Sequence, residues 1–187
     1  MFKSILSFGR PSGRPGRHVT DALYEAIVAA ARQPHFYSAW EVPDTPLGRY
    51  EMLSLHMFLF LERARGKTGG LADLAQELTD EFFKDMDHSL RELGIGDLGV
   101  PKRMKKLAKM FYGRAESYRS ALAAGDRAAL AAALARNVQP QRPDWPQAAH
   151  LAAYAAGALA ALALQADEAL LAGRIVFPAA EDTQVTP

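Results

Sequence analysis

The chain has 187 residues, 49% of them hydrophobic and 23% charged, with a formal net charge of +1. That length supports one domain with a real core, and the near-neutral balance excludes a globally basic nucleic-acid binder, leaving only local binding of that kind. Cysteine is absent, which removes disulfides and thiol nucleophiles and fits a cytosolic face.

Residues 1–17 read as a flexible basic leader. Its apolar part is too short for a signal peptide and lacks a small-residue cleavage site, and the Arg-Gly-Pro-rich stretch from Arg10 to Arg17 does not favour order. Phe2, Ile5, Leu6 and Phe8 with Lys3 offer an alternative, a short interfacial turn on a membrane surface. A first helix is expected from about Thr20 to Gln33, with Thr20 or Asp21 as its cap and Pro34 as its stop. The aromatic connector from His35 to Trp40 follows and is expected to plug a core edge.

Thr45 is placed to cap the next helix, with Pro46 at its first position. That helix runs to about Arg65. Its centre, LSLHMFLFLE, is apolar on nearly all sides, the pattern of a central buried helix. From Leu71 to Leu93 the pattern is amphipathic, with Leu74, Leu78, Phe82, Met86 and Leu90 on one face. Gly94 and Gly96 end it, Pro101 opens a helix running to about Ala124, and Asp126 caps a short helix to Asn137. A Pro-rich linker precedes a last helix ending near Gly173. Its run Leu151–Leu164 is too short and too alanine-rich for a membrane span. The chain thus reads as all-α, a single-domain bundle of about six to seven helices over residues 18–175, with a flexible tail over 176–187.

Candidate chemistry is sparse. Asp85 and His88 share a helix face, but a bundle metal site needs matching pairs on two helices, and only one pair is present. His56, alone in the most apolar helix, reads as a hydrogen-bonded core histidine. No nucleophile–base constellation, phosphate loop or dinucleotide fingerprint appears; no enzyme, metal site or cofactor is expected.

The strongest local signal is charge. Lys102, Arg103, Lys105, Lys106 and Lys109 crowd one helix, and Arg114 lies beyond them. Amphipathicity explains part of this pattern, with Met104, Leu107, Ala108 and Phe111 facing inward. Yet cations in a first turn oppose the helix macrodipole by a few tenths of a kcal/mol each. Two explanations stand: Asp85, Asp87 and Asp97 compensate, or the helix meets an anionic partner, whether RNA phosphate, anionic lipid or an acidic protein segment. An RNA-binding regulator acting through Lys102–Lys109 is therefore one functional reading.

A second reading comes from order and spacing. Tyr24-Glu25-Ala26-Ile27, Ala31-Arg32-Gln33-Pro34 and Phe36-Tyr37 are followed by Val42-Pro43-Asp44-Thr45, Gly48-Arg49-Tyr50-Glu51 and Leu55-His56. Then come Asp85-Met86-Asp87, Leu90-Arg91-Glu92, Gly94-Ile95-Gly96-Asp97, Lys102-Arg103-Met104-Lys105-Lys106 and Phe111-Tyr112-Gly113-Arg114. Across Tyr24–Gly125 this resembles the ubiquinol–cytochrome c chaperone family. The resemblance implies a helical, non-enzymatic protein that assists biogenesis of respiratory complex III by binding newly made cytochrome b. Without a convincing organelle-targeting sequence, a bacterial type is expected, cytoplasmic and peripheral to the inner face of the inner membrane. An apolar client calls for an apolar surface, for which Phe36, Tyr37, Trp40 and Phe58 are candidates. The basic residues from Lys102 to Arg114 are candidates for anionic lipid or an acidic client loop. Fold alone offers other roles: a turn for Asp44 and Gly48, buried ion pairs for Arg49 and Arg91, and packing for Tyr112.

Overall fold

The computed structural model describes residues 17–183. They form α1 (Arg17–Ala31), α2 (Pro34–Ser38), α3 (Pro46–Ala64), α4 (Gly70–Glu92), α5 (Val100–Ala123), α6 (Arg127–Val138), α7 (Ala148–Ala163) and α8 (Asp167–Leu171), followed by a 3-10 turn at Ala180–Asp182. No strand occurs among the described residues. The architecture is the expected all-α bundle: six helices of twelve residues or more, with α2 and α8 as single-turn additions.

Helix α3 is the axle. Every residue from Tyr50 to Phe60 is buried, and α1, α4, α5, α6 and α7 all pack on it. An apolar helix surrounded on all sides is the arrangement its all-round hydrophobicity requires. Its start follows the sequence signals: the Thr45 side chain accepts from the Gly48 N–H at 3.2 Å and Pro46 takes the first position. Gly48 is needed for another reason, because a Cβ there would lie 1.9 Å from the Pro43 carbonyl oxygen. The α4 terminus is a Schellman motif. Gly94 at φ 79° donates to Arg91 O and Ile95 donates to Leu90 O, which satisfies two otherwise orphaned carbonyls.

Three expectations change. The aromatic connector is itself helical in part, as α2, and it does plug the core: Phe36 and Trp40 are both buried. Thr20 is an interior residue of α1, buried, with its hydroxyl on Glu77 of α4, so it does not cap the helix. The last helix is two helices, because Ala166 adopts an extended backbone (φ −63°, ψ 142°) between α7 and α8.

The tail expected to be flexible from residue 176 is docked as far as it is described. Gln165 bonds both the N–H and the carbonyl of Val176, while Gln33 holds the Pro178 carbonyl and the Ala180 N–H. Of the leader expected over 1–17, residues 1–16 lie outside the described residues, as do 184–187, while Arg17 is the first residue of α1.

Candidate functional site

The basic helix places its charges as the spacing requires. Val100 and Phe111 are buried, Met104, Leu107 and Met110 pack partly into the core, and Lys102, Arg103, Lys105, Lys106 and Lys109 are exposed. Of the two explanations for these cations, internal compensation is not the one the geometry supports. Among the described residues none of the five makes an ion pair within 4.0 Å.

The carboxylates expected to compensate are engaged elsewhere. Asp87 bonds Arg91 one turn along α4 at 2.7 Å, and Asp97 bonds the same Arg91. Asp85 accepts from the Tyr24 hydroxyl of α1 at 2.9 Å. Burial raises its carboxyl to about 6, opposed by that hydrogen bond. Glu81 pairs with Lys84, and Glu92 lies 3.1 Å from His88. These carboxylates are therefore engaged within α4, with α1 or with Arg91, and none of them pairs with the α5 cations within 4.0 Å.

Arg114 does not belong to the same surface. Its guanidinium turns inward to within 2.7 Å of Glu51, whose side chain is 1% exposed. Across this α3–α5 seam, Tyr50 also donates to Leu107 O at 3.0 Å. Burial pushes the Glu51 carboxyl up to about 8 against the pull of Arg114. The contact is close but poorly aligned: Glu51 Oε1 and Arg114 Nε and Nη1 lack hydrogen-bond partners among the described residues. Desolvation therefore outweighs the attraction.

The aromatic candidates separate in the same way. Phe36, Trp40 and Phe58 are core residues, and only Tyr37 is half exposed, its hydroxyl donating to Ala31 O at 2.9 Å. Phe36 packs edge-on against His56 and Tyr154, and Trp40 receives a hydrogen bond on its carbonyl from Trp145 Nε1 at 3.0 Å. Arg49 and Arg91 do form ion pairs, but these lie at the surface; Tyr112 packs its ring against Phe83 and Phe111 while remaining 56% exposed.

His56 is the expected core histidine. Nδ1 lies 2.7 Å from Met52 O and so carries the proton, while Nε2 accepts from the Tyr154 hydroxyl at 2.9 Å. Burial pushes its pKa down to about 4, leaving it neutral. With both ring nitrogens occupied and the ring fully enclosed, it offers nothing to a ligand.

Sequence reasoning missed two surfaces. The first is the corner 93–99, where Leu98 is 99% exposed and Leu93 is 49% exposed. The glycine punctuation hid these leucines among turn residues. The second is a shallow apolar groove where α7, α8 and the C-terminal segment meet. Its lining is Ala161, Ala166, Ala169, Val176 and Pro178 together with the polar Gln165 and Arg174. Val176 is exposed within it, and Leu164, the chain neighbour of the lining Gln165, is also exposed. Only the docking of the tail builds this groove.

A family model described as ubiquinol-cytochrome C chaperone matches residues 38–177. The match runs on through the alanine-rich C-terminal helices, beyond the segment that carries the sequence motifs. Comparison with the curated proteins gives no significant match. Among solved structures, the crystal structure of the Cbp3 homolog from Brucella abortus is similar at 57% identity and a TM-score of 0.86, covering 90% of this chain and 93% of that one. With the family model spanning most of the bundle, the chain belongs to the ubiquinol–cytochrome c chaperone family.

Proposed function

We propose that this protein is an assembly chaperone for ubiquinol–cytochrome c reductase, respiratory complex III, and that its client is newly made cytochrome b. The observation that carries the reading is the family match across α3 to α7 and into the C-terminal segment. The apolar groove beside Leu164 and Val176 supports it, because a client made of apolar helices needs an apolar surface to shield it. Since no helix among the described residues is long and apolar enough to cross a membrane, the chaperone meets such a client from the membrane's edge. We place it on the inner face of a bacterial inner membrane.

The test is a clean deletion strain together with a pull-down from membranes using the tagged full chain. Deletion is expected to lower complex III and cytochrome b while sparing the other respiratory complexes, and the pull-down is expected to retain cytochrome b. A Val176→Asp variant, which sets a charge in the groove, is expected to retain less client at unchanged thermal stability. Normal complex III in the deletion strain would refute the reading.

A further inference from the structure

We propose that the corner between α4 and α5 is a docking element for an anionic lipid bilayer, with Leu98 entering the headgroup region and the lysines of α5 gripping the lipid phosphates. The proposal rests on the chaperone reading only for its biological setting; the geometry stands alone.

Four observations converge on it. Leu98 is almost wholly exposed, with Leu93 half exposed in the same connection; folding gains nothing from an apolar side chain so placed. Lys102, Lys105, Lys106 and Lys109 fall at helical three- and four-residue spacings, so they share one stripe of α5. Tyr112 continues that stripe. Exposed as it is, it suits a membrane–water boundary, where an amphipathic ring is favoured.

The third observation is the charge balance. From Leu98 to Ala115 the sequence contains no acidic residue, and Arg91 already takes Asp97. The α4 carboxylates that could face α5 are paired on their own helix or with α1. None of these carboxylates pairs with the stripe, so its cations stay available to an anionic partner. Fourth, Lys102 and Arg103 sit in the first turn of α5, where the helix dipole repels them. A partner bearing negative charge removes that conflict.

Apolar tip and cationic flank together distinguish the occupant. A nucleic acid would use the lysines but has no use for Leu98, and among the described residues Tyr112 is the one exposed phenylalanine, tyrosine or tryptophan available for base stacking. An anionic bilayer uses both: hydrocarbon burial at the tip and roughly fivefold stronger partition per basic residue near the surface. One short apolar tip with a basic patch gives reversible attachment, which suits a chaperone that must release its client.

Co-sedimentation of the full chain with client-free vesicles tests the proposal. Binding is expected to vesicles containing phosphatidylglycerol and not to vesicles of phosphatidylcholine alone, and to fall with salt. Lys105→Glu with Lys106→Glu is expected to weaken binding by at least tenfold, and Leu98→Ser by a smaller but measurable factor, both at unchanged melting temperature. Absent binding, or binding indifferent to the lysine reversal or to Leu98→Ser, overturns the proposal. So does tighter binding to polyuridylate that ignores Leu98→Ser, which would assign the stripe to RNA. Because the vesicles carry no client, a negative result here leaves cytochrome b capture and the deletion phenotype as separate readouts.

Discussion

The Arg114 guanidinium lies 2.7 Å from the Glu51 carboxylate in the seam between α5 and α3, with both side chains largely withdrawn from water. Removing one partner of such a pair strands the other. At pH 9, with Glu51 ionised, Arg114→Met is expected to cost about 3–5 kcal/mol, read as a lower denaturant midpoint. The loss should be greater at pH 9, where Glu51 is ionised, than at pH 6, where burial keeps it protonated. The double variant Glu51→Gln with Arg114→Met should recover much of it. A double variant as unstable as the two single losses added together would contradict this account.

His56 makes the fold acid-sensitive. Its pKa falls from 6.5 to about 4 on burial, so between these values the unfolded chain binds a proton that the folded chain refuses. Its contribution is whole above about pH 6.5 and declines as pH drops toward 4, by up to about 3 kcal/mol. Asp85 and Glu51 act with the opposite sign: their carboxyls are raised in the fold, so their contributions fall as pH rises through the intervals between unfolded and folded values. The measurement is therefore a difference. The stability–pH curve of His56→Gln subtracted from that of the wild type should show a component confined to that acid window, and a flat difference would sink the assignment.

Two glycines in helices should respond with opposite sign. Gly48→Ala forces a Cβ to 1.9 Å from the Pro43 carbonyl oxygen, a backbone atom that cannot swing aside as a flexible side chain would, and should lower the melting temperature sharply. Gly113 lies within α5, and a Cβ added there would meet nothing within 4 Å. Gly113→Ala should stabilise by about 0.5–1 kcal/mol, the ordinary helix preference for alanine.

Gln33 ties the C-terminal segment to the core. Its side chain donates to Pro178 O at 3.0 Å and accepts from the Ala180 N–H at 2.7 Å. Gln33→Leu should leave those groups without their partner, at a cost of about 1–3 kcal/mol. Faster amide exchange at Ala180 and faster proteolysis beyond Phe177 would accompany the loss. If exchange there were unchanged, the segment would be held by Phe177 and Ile175 packing instead.

The helices were legible because their signals are local. Thr45, Pro46 and Gly94 mark ends through their own backbone chemistry, and the all-round apolar centre of α3 permits few places other than the middle of a bundle. The order of short motifs from Tyr24 to Arg114 likewise carried the family, since it depends on the chain alone. What a side chain faces was not legible. Arg114 and Lys109 look alike in the sequence, yet one is folded against Glu51 and the other is left in water. Asp87 and Asp97 look like counter-ions for α5 until Arg91 is seen holding both. Aromatic residues suggested a client surface, but Phe36, Trp40 and Phe58 were taken by the core, where their burial stabilises the fold most. The exposed tip at Leu98 and the groove beside Val176 exist because distant segments stop short of one and close around the other, and only the tertiary packing decides that.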